Sequence, residues 1–169
     1  STTPMPLRAY LDTCIVSGLA KGDLGDRDTS ALLDVLRAHK SGALELVTSE
    51  VTAAEIGAIP ADYRVRHEVI YSLIADVPTT PTHRTDSGLT LMGVGGGTRE
   101  DPMFTQLKSV LPDAGDAAHA FQAARSGATV LITVDRRSFI FHASEVSRIC
   151  GVSVVAPVQF ASSFLSAPP

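Results

Sequence analysis

Apolar positions along this chain recur with two different periods, and the changes of period divide it into elements. Leu7 to Leu11 is a short apolar run that ends on Asp12 and reads as a first strand. From Asp28 to Lys40 the spacing becomes helical. Leu32, Val35 and Leu36 share one face, Asp28 or Thr29 is a candidate cap, and Gly42 follows the end. Leu44 to Thr48 alternates as a second strand. Ser49 suits the N-cap of a helix reaching about Ala58, which Pro60 closes. Another helix is predicted over about 61–74, with Val65, Val69 and Leu73 at i, i+4 and i+8.

Residues 79–97 lose all periodicity. They hold Pro81, several hydroxyl residues and the run Gly93-Val94-Gly95-Gly96-Gly97. They read as an irregular insertion, a long loop or lid, with a short strand at Leu89 to Met92. Helices are predicted next over about 101–111 and 114–126, with Gly127 stopping the second. Ala120, Ala123, Ala124 and Gly127 give that helix a small-residue face for close packing on a sheet. Thr129 to Val134 is a β-branched strand that ends on Asp135. A helix near 142–150, a strand at 152–156 and a short helix after Pro157 complete the chain. Strands separated by helices imply a mainly parallel sheet covered on both faces. The expected fold is therefore α/β, a three-layer α/β/α sandwich forming a single domain over 1–169.

Composition narrows the picture. The 169 residues, 44% hydrophobic and 19% charged, suit a globular chain with its own core. No apolar run approaches the roughly 18 residues of a membrane span. Ser1-Thr2-Thr3-Pro4 has neither the charged nor the apolar region of a signal peptide. Cys14 and Cys150 form no metal-binding spacing and read as free thiols of a reduced, cytoplasmic protein. The net charge of -4 argues against a passive, tight nucleic-acid binder. It argues less against a nuclease, whose contacts can be local and whose acids can carry bound cations.

In a parallel sheet, ligands bind beyond the carboxyl ends of the strands. Asp12 and Asp135 end strands, Glu55 lies on the helix after the second strand, and Asp116 is near the start of a helix. Brought together, four carboxylates repel one another, and some would take up protons. A hard divalent cation, Mg²⁺ or Mn²⁺, removes that conflict and can stabilise charge on a phosphodiester. Strand-end acids also serve as caps, and that reading stays open for each.

The wording around these acids resembles the PIN domain family. Tyr10-Leu11-Asp12-Thr13-Cys14 looks like its opening motif, and Val47-Thr48-Ser49-Glu50-Val51-Thr52-Ala53-Ala54-Glu55-Ile56 like its second. Asp116-Ala117-Ala118-His119-Ala120-Phe121 resembles the third. The fourth is matched by Gly127-Ala128-Thr129-Val130-Leu131-Ile132-Thr133-Val134-Asp135-Arg136, and Val154 to Phe160 resembles the last strand and its exit. The resemblance covers nearly the whole chain. It departs in length, through the 79–97 segment. It implies a metal-dependent endoribonuclease with Asp12, Glu55, Asp116 and Asp135 around Mg²⁺ or Mn²⁺. It also implies RNA as substrate, and a toxin role with a small antitoxin partner and a homodimer. A PIN-fold interaction module without catalysis is the alternative.

Other residues are weighed on their position. Glu50 rivals Glu55, although an acid in a first helical turn also suits the helix dipole. Asp113 reads as the N-cap before Asp116. Thr13 could hydrogen-bond a carboxylate or the substrate phosphate. His119, one turn after Asp116, could orient that acid or touch substrate. Arg136 and Arg137 could grip RNA phosphates, with Arg64, Arg66 and Arg99 as vaguer candidates. Gly93 to Thr98 is no dinucleotide fingerprint, because its sixth position is Thr.

Overall fold

The computed structural model describes residues 5–86 and 99–165. Four short strands, β1 (Arg8–Leu11), β2 (Glu45–Thr48), β3 (Val130–Ile132) and β4 (Ser153–Val155), pair in parallel in the order β2-β1-β3-β4. The helices are α1 (Cys14–Lys21), α2 (Asp26–Lys40), α3 (Glu50–Ala58), α4 (Ala61–Arg64), α5 (Glu68–Ala75), α6 (Pro102–Val110), α7 (Ala114–Arg125), α8 (Ala143–Cys150) and α9 (Pro157–Phe160).

Alternation along the strands builds three layers. Ala9 and Leu11 of β1, Leu46 of β2, Val130 and Ile132 of β3, and Val155 of β4 pack with Ile15, Leu32, Val35, Ile70 and Phe160 on one face. Their neighbours Tyr10, Val47, Leu131 and Val154 pack with Leu107, Phe121 and Val146 on the other. The chain is thus an α/β/α sandwich on a parallel sheet. Among the described residues, no helix is long and apolar enough to cross a membrane.

Several local expectations change. α1 follows Asp12 directly, where no helix was predicted. α2 starts at Asp26 behind Gly25, with no side-chain cap. Asp28 is instead buried and accepts from Arg136 at 2.9 Å, so neither it nor Thr29 is the cap. The helix expected over 61–74 breaks into α4, a 3₁₀ turn at Val65–His67, and α5. Val65 and Val69 are 73% and 60% exposed, so the predicted apolar face is the wrong one. The buried stripe is Ile70, Tyr71 and Ile74, and it starts only where α5 does.

The start of the irregular segment is anchored. Thr48 N–H donates to the Pro78 carbonyl and Thr80 N–H to the Thr48 carbonyl, so the chain runs beside β2. Gln122 of α7 then holds His83 through both backbone groups, at 2.7 and 2.8 Å. The expected strand at Leu89 to Met92 and the glycine run 93–97 lie outside the described residues.

Candidate functional site

From β1 the chain crosses to β2 on one side and, much later, β3 joins β1 on the other. The topological switch point therefore lies between β1 and β3, where open parallel sheets leave a crevice at their carboxyl ends. Asp12 is the first residue past β1, and its N–H donates to the Ile132 carbonyl at 2.9 Å, which carries the pairing one step beyond the strand. Asp12 is 2% exposed. Its Oδ2 accepts from the Thr133 hydroxyl at 2.7 Å and the Cys14 thiol at 3.0 Å. The Thr133 hydroxyl in turn accepts the Asp135 N–H at 3.1 Å, so one side chain ties the acids ending β1 and β3 together.

Asp116 enters from the first turn of α7 and meets Asp135, just past β3, through a shared hydroxyl. The Ser138 hydroxyl lies 2.8 Å from Asp116 Oδ2 and 2.7 Å from Asp135 Oδ2. Asp135 also accepts the Ser138 N–H at 3.1 Å. Burial alone would push Asp135 up. The hydrogen bonds from Ser138 and from the N–H groups of Phe139 and Arg137 outweigh it and hold the carboxyl below the usual range. Asp116 has fewer such donors. Burial pushes it up to about 6, the Ser138 bond opposes, and the charges of Asp135, Asp12 and Asp113 add to the rise.

Glu55 is half-buried on the second turn of α3. Burial raises its pKa, His119 and Lys21 oppose, and the charge of Asp12 adds. Glu55 is therefore close enough to feel the charges of Asp12 and His119, and it lines a cleft with Lys21 of α1. Glu50, five residues earlier and about 140° around the helix, is exposed. Three of the acids are thus joined through shared hydroxyls and the fourth through charge. Among the described residues, however, no group of three or more His, Cys, Asp or Glu side chains is arranged to hold a metal ion as it stands.

His119 sits between two elements of the site. Its Nδ1 is 2.9 Å from the Tyr10 hydroxyl and its Nε2 3.8 Å from Asp12 Oδ1. Burial, reinforced by the charge of Asp12 and opposed by Ser49, pushes Tyr10 up to about 12, so its hydroxyl stays a donor. A neutral His119 that accepts from Tyr10 carries its proton on Nε2, toward Asp12. Thr13 turns away from the acids. Its hydroxyl lies 2.9 Å from that of Thr52 and 3.4 Å from that of Ser49, which fastens the end of β1 to the N-terminus of α3.

The arginines divide. Arg136 pairs with the buried Asp28 at 2.9 Å while its side chain stays 60% exposed. Arg137 is exposed. Arg64 donates to the carbonyls of Ile56 and Ile59 and so closes the end of α3, which is a structural task. Asp113 is the N-cap of α7, accepting from Gly115 N–H at 2.7 Å. Ser49 likewise caps α3. Cys14 and Cys150 are free thiols, and burial raises the pKa of both.

Lys21, Ser138 and Tyr10 are site residues that sequence reasoning missed. Only Ser138 left a local signal: Asp135 and Ser138 have the i, i+3 spacing of a capped turn. Lys21 lines two clefts of about 360 and 290 Å³, one beside Glu55 and the other beside Asp135 and Arg136. Fold and site together define an α/β/α sandwich with an acidic crevice at the switch point of its sheet. No family model matches the chain, and no curated protein or solved structure matches it.

Proposed function

We propose that this chain is a divalent-cation-dependent endoribonuclease of the PIN-domain kind. The observation that carries this reading is Asp116. Burial and the charges of Asp135, Asp12 and Asp113 hold its carboxyl near 6. A carboxyl held against its own ionisation by burial, with neighbouring acids adding to the penalty, is best relieved by a hard cation. The residues fit such an ion in kind: Asp12, Glu55, Asp116 and Asp135 offer carboxylate oxygens, and the Thr133 and Ser138 hydroxyls and the Cys14 thiol stand behind three of them as neutral donors. A bound Mg²⁺ or Mn²⁺ supplies charge neutralisation for a phosphodiester under attack.

The chain's own residues supply the rest. Thr133 and Ser138 hold three carboxylates in register across β1, β3 and α7. His119, set by Tyr10, stands beside Asp12 where it can donate to a substrate oxygen. Lys21 and Arg136 border the cleft beside Asp135 and offer positive charge to a phosphate backbone. A toxin role, with a small antitoxin and a second copy of the chain as partners, follows from the resemblance in motifs.

The test is cleavage of labelled single-stranded RNA with Mg²⁺ or Mn²⁺, beside Mn²⁺ binding by calorimetry. Wild type should bind and cleave. Asp12→Asn and Glu55→Gln should each lower the rate by roughly 10²-fold or more while keeping the fold. A wild-type protein that neither binds Mn²⁺ nor cleaves RNA would leave the interaction-module reading in its place.

A further inference from the structure

Ser138 occupies an unusual position for a hydroxyl. Its Oγ contacts Asp116 Oδ2 at 2.8 Å and Asp135 Oδ2 at 2.7 Å, and its own N–H is fixed on Asp135 Oδ1 at 3.1 Å. The two carboxylate oxygens come from different elements, the first turn of α7 and the loop after β3. With one hydroxyl between them they cannot lie farther apart than the two contacts together, about 5.5 Å. Two oxygens on one Mg²⁺, each at about 2.0–2.1 Å, sit roughly 3–4 Å apart. The pair is therefore one small adjustment from the spacing that a shared cation needs.

We propose that Ser138 is a positioning residue that holds Asp116 and Asp135 at near-ligand spacing before the cation arrives. This rests on the nuclease reading above and deepens it. The backbone bond to Asp135 gives the hydroxyl a fixed origin, so it acts as a spacer and not as a mobile solvent-like group. It has one proton to give, and so it can satisfy only one carboxylate as a donor. The O–H can rotate between the two oxygens, so each carboxylate is drawn in turn to the same fixed Oγ. Apart from Ser138, each acid has its own anchor. Asp116 is carried on the first turn of α7, and the backbone of Asp135 is held by its N–H on the Thr133 hydroxyl at 3.1 Å and by its carbonyl, which accepts the Ile140 N–H at 3.0 Å. Removing the hydroxyl should let the two carboxylates separate by mutual repulsion while α7 and β3 stay in place.

The experiment is Mn²⁺ binding to the full chain by titration calorimetry, for wild type, Ser138→Ala, Ser138→Thr and Asp12→Asn, with thermal unfolding recorded in EDTA. Ser138→Ala should weaken Mn²⁺ about tenfold, within the range for groups that orient metal ligands. Its unfolding temperature in EDTA should fall little, and Ser138→Thr, which restores the hydroxyl, should recover wild-type affinity. Unchanged or tighter binding by a folded Ser138→Ala overturns the positioning role and leaves the nuclease reading intact. If Ser138→Ala does not fold, Ser138→Thr decides: wild-type affinity supports the spacer, and a loss as large as tenfold with an intact fold overturns it. Absence of Mn²⁺ binding by wild type overturns the nuclease reading itself.

Discussion

Replacing Asp116 by Asn should make the cation-free protein more stable at neutral pH, although it removes a proposed ligand. Asp116 is 8% exposed, and its carboxyl is raised from 3.8 to about 6 in the folded chain, chiefly by burial and then by neighbouring acids. Between those two values the folded state binds more protons than the unfolded state. Stability contributed at this position therefore falls as pH rises through the window, and the whole penalty is present above about 6. A shift of about two units corresponds to about 3 kcal/mol. Water at the mouth of the crevice screens part of it, which leaves roughly 1–2 kcal/mol. Asparagine has the shape of the protonated acid and keeps an oxygen for the Ser138 hydroxyl. Asp116→Asn should then melt roughly 2–8 °C above wild type at pH 7.5 in EDTA, and at nearly the same temperature at pH 4. Thermal unfolding followed by circular dichroism measures both. Saturating Mg²⁺ or Mn²⁺ should close or invert the gap, since ligand at about 100 times Kd adds about 2.7 kcal/mol to a chain that binds it. A variant that melts below wild type at pH 7.5 in EDTA, or a gap that does not depend on pH, would refute the reasoning.

Asp135→Asn should show the opposite sign. Its depressed carboxyl contributes stability that is present above the unfolded value and lost as pH falls through the folded one, so in EDTA the variant should melt below wild type at pH 7.5 and converge with it in acid. Thr52→Val should cost about 1–2 kcal/mol in urea unfolding, because Thr52 is fully buried and the Thr13 hydroxyl loses its 2.9 Å partner. Arg136→Ala should cost about 1 kcal/mol, a figure already reduced for the exposure of the arginine, since it leaves Asp28 buried beside α9 without its cation.

The layers were legible in the sequence because strand alternation and helix spacing are local signals. What failed was the choice among equally periodic stripes. Val65, Val69 and Leu73 share a spacing as regular as that of Ile70 and Ile74, and only packing on α2 and α3 decides that the second set is buried. α1 escaped for a different reason. The helix is only eight residues long, too short for its spacing to stand out as a period, and Thr13 offers no side-chain cap. The acids at the ends of β1 and β3 were legible because strand ends were. The groups that orient them were not: Thr133 meets Asp12, and Tyr10 meets His119, across more than a hundred residues of chain.

The partners of the acids separate structural carboxylates from the proposed functional ones. Asp28 is paired with Arg136, Asp101 with Arg125 and Glu100 with Lys108, so each has a cation within the chain to offset its charge. Asp12, Asp116 and Asp135 are held mainly by hydroxyl, thiol and backbone donors. Neutral donors fix an oxygen's direction and leave its charge uncompensated, whereas an arginine would fix it and cancel the charge. Lys21 reaches Glu55 only through space, and His119 stands 3.8 Å from Asp12, beyond hydrogen-bond distance. A chain selected only for stability would gain by moving one of its fourteen basic residues into this crevice. Lys21 and Arg136 stop at the border of the cleft and pair with none of Asp12, Asp116 and Asp135, which preserves an oriented negative charge at the switch point of the sheet, the condition under which a hard cation and a phosphodiester can be brought together there.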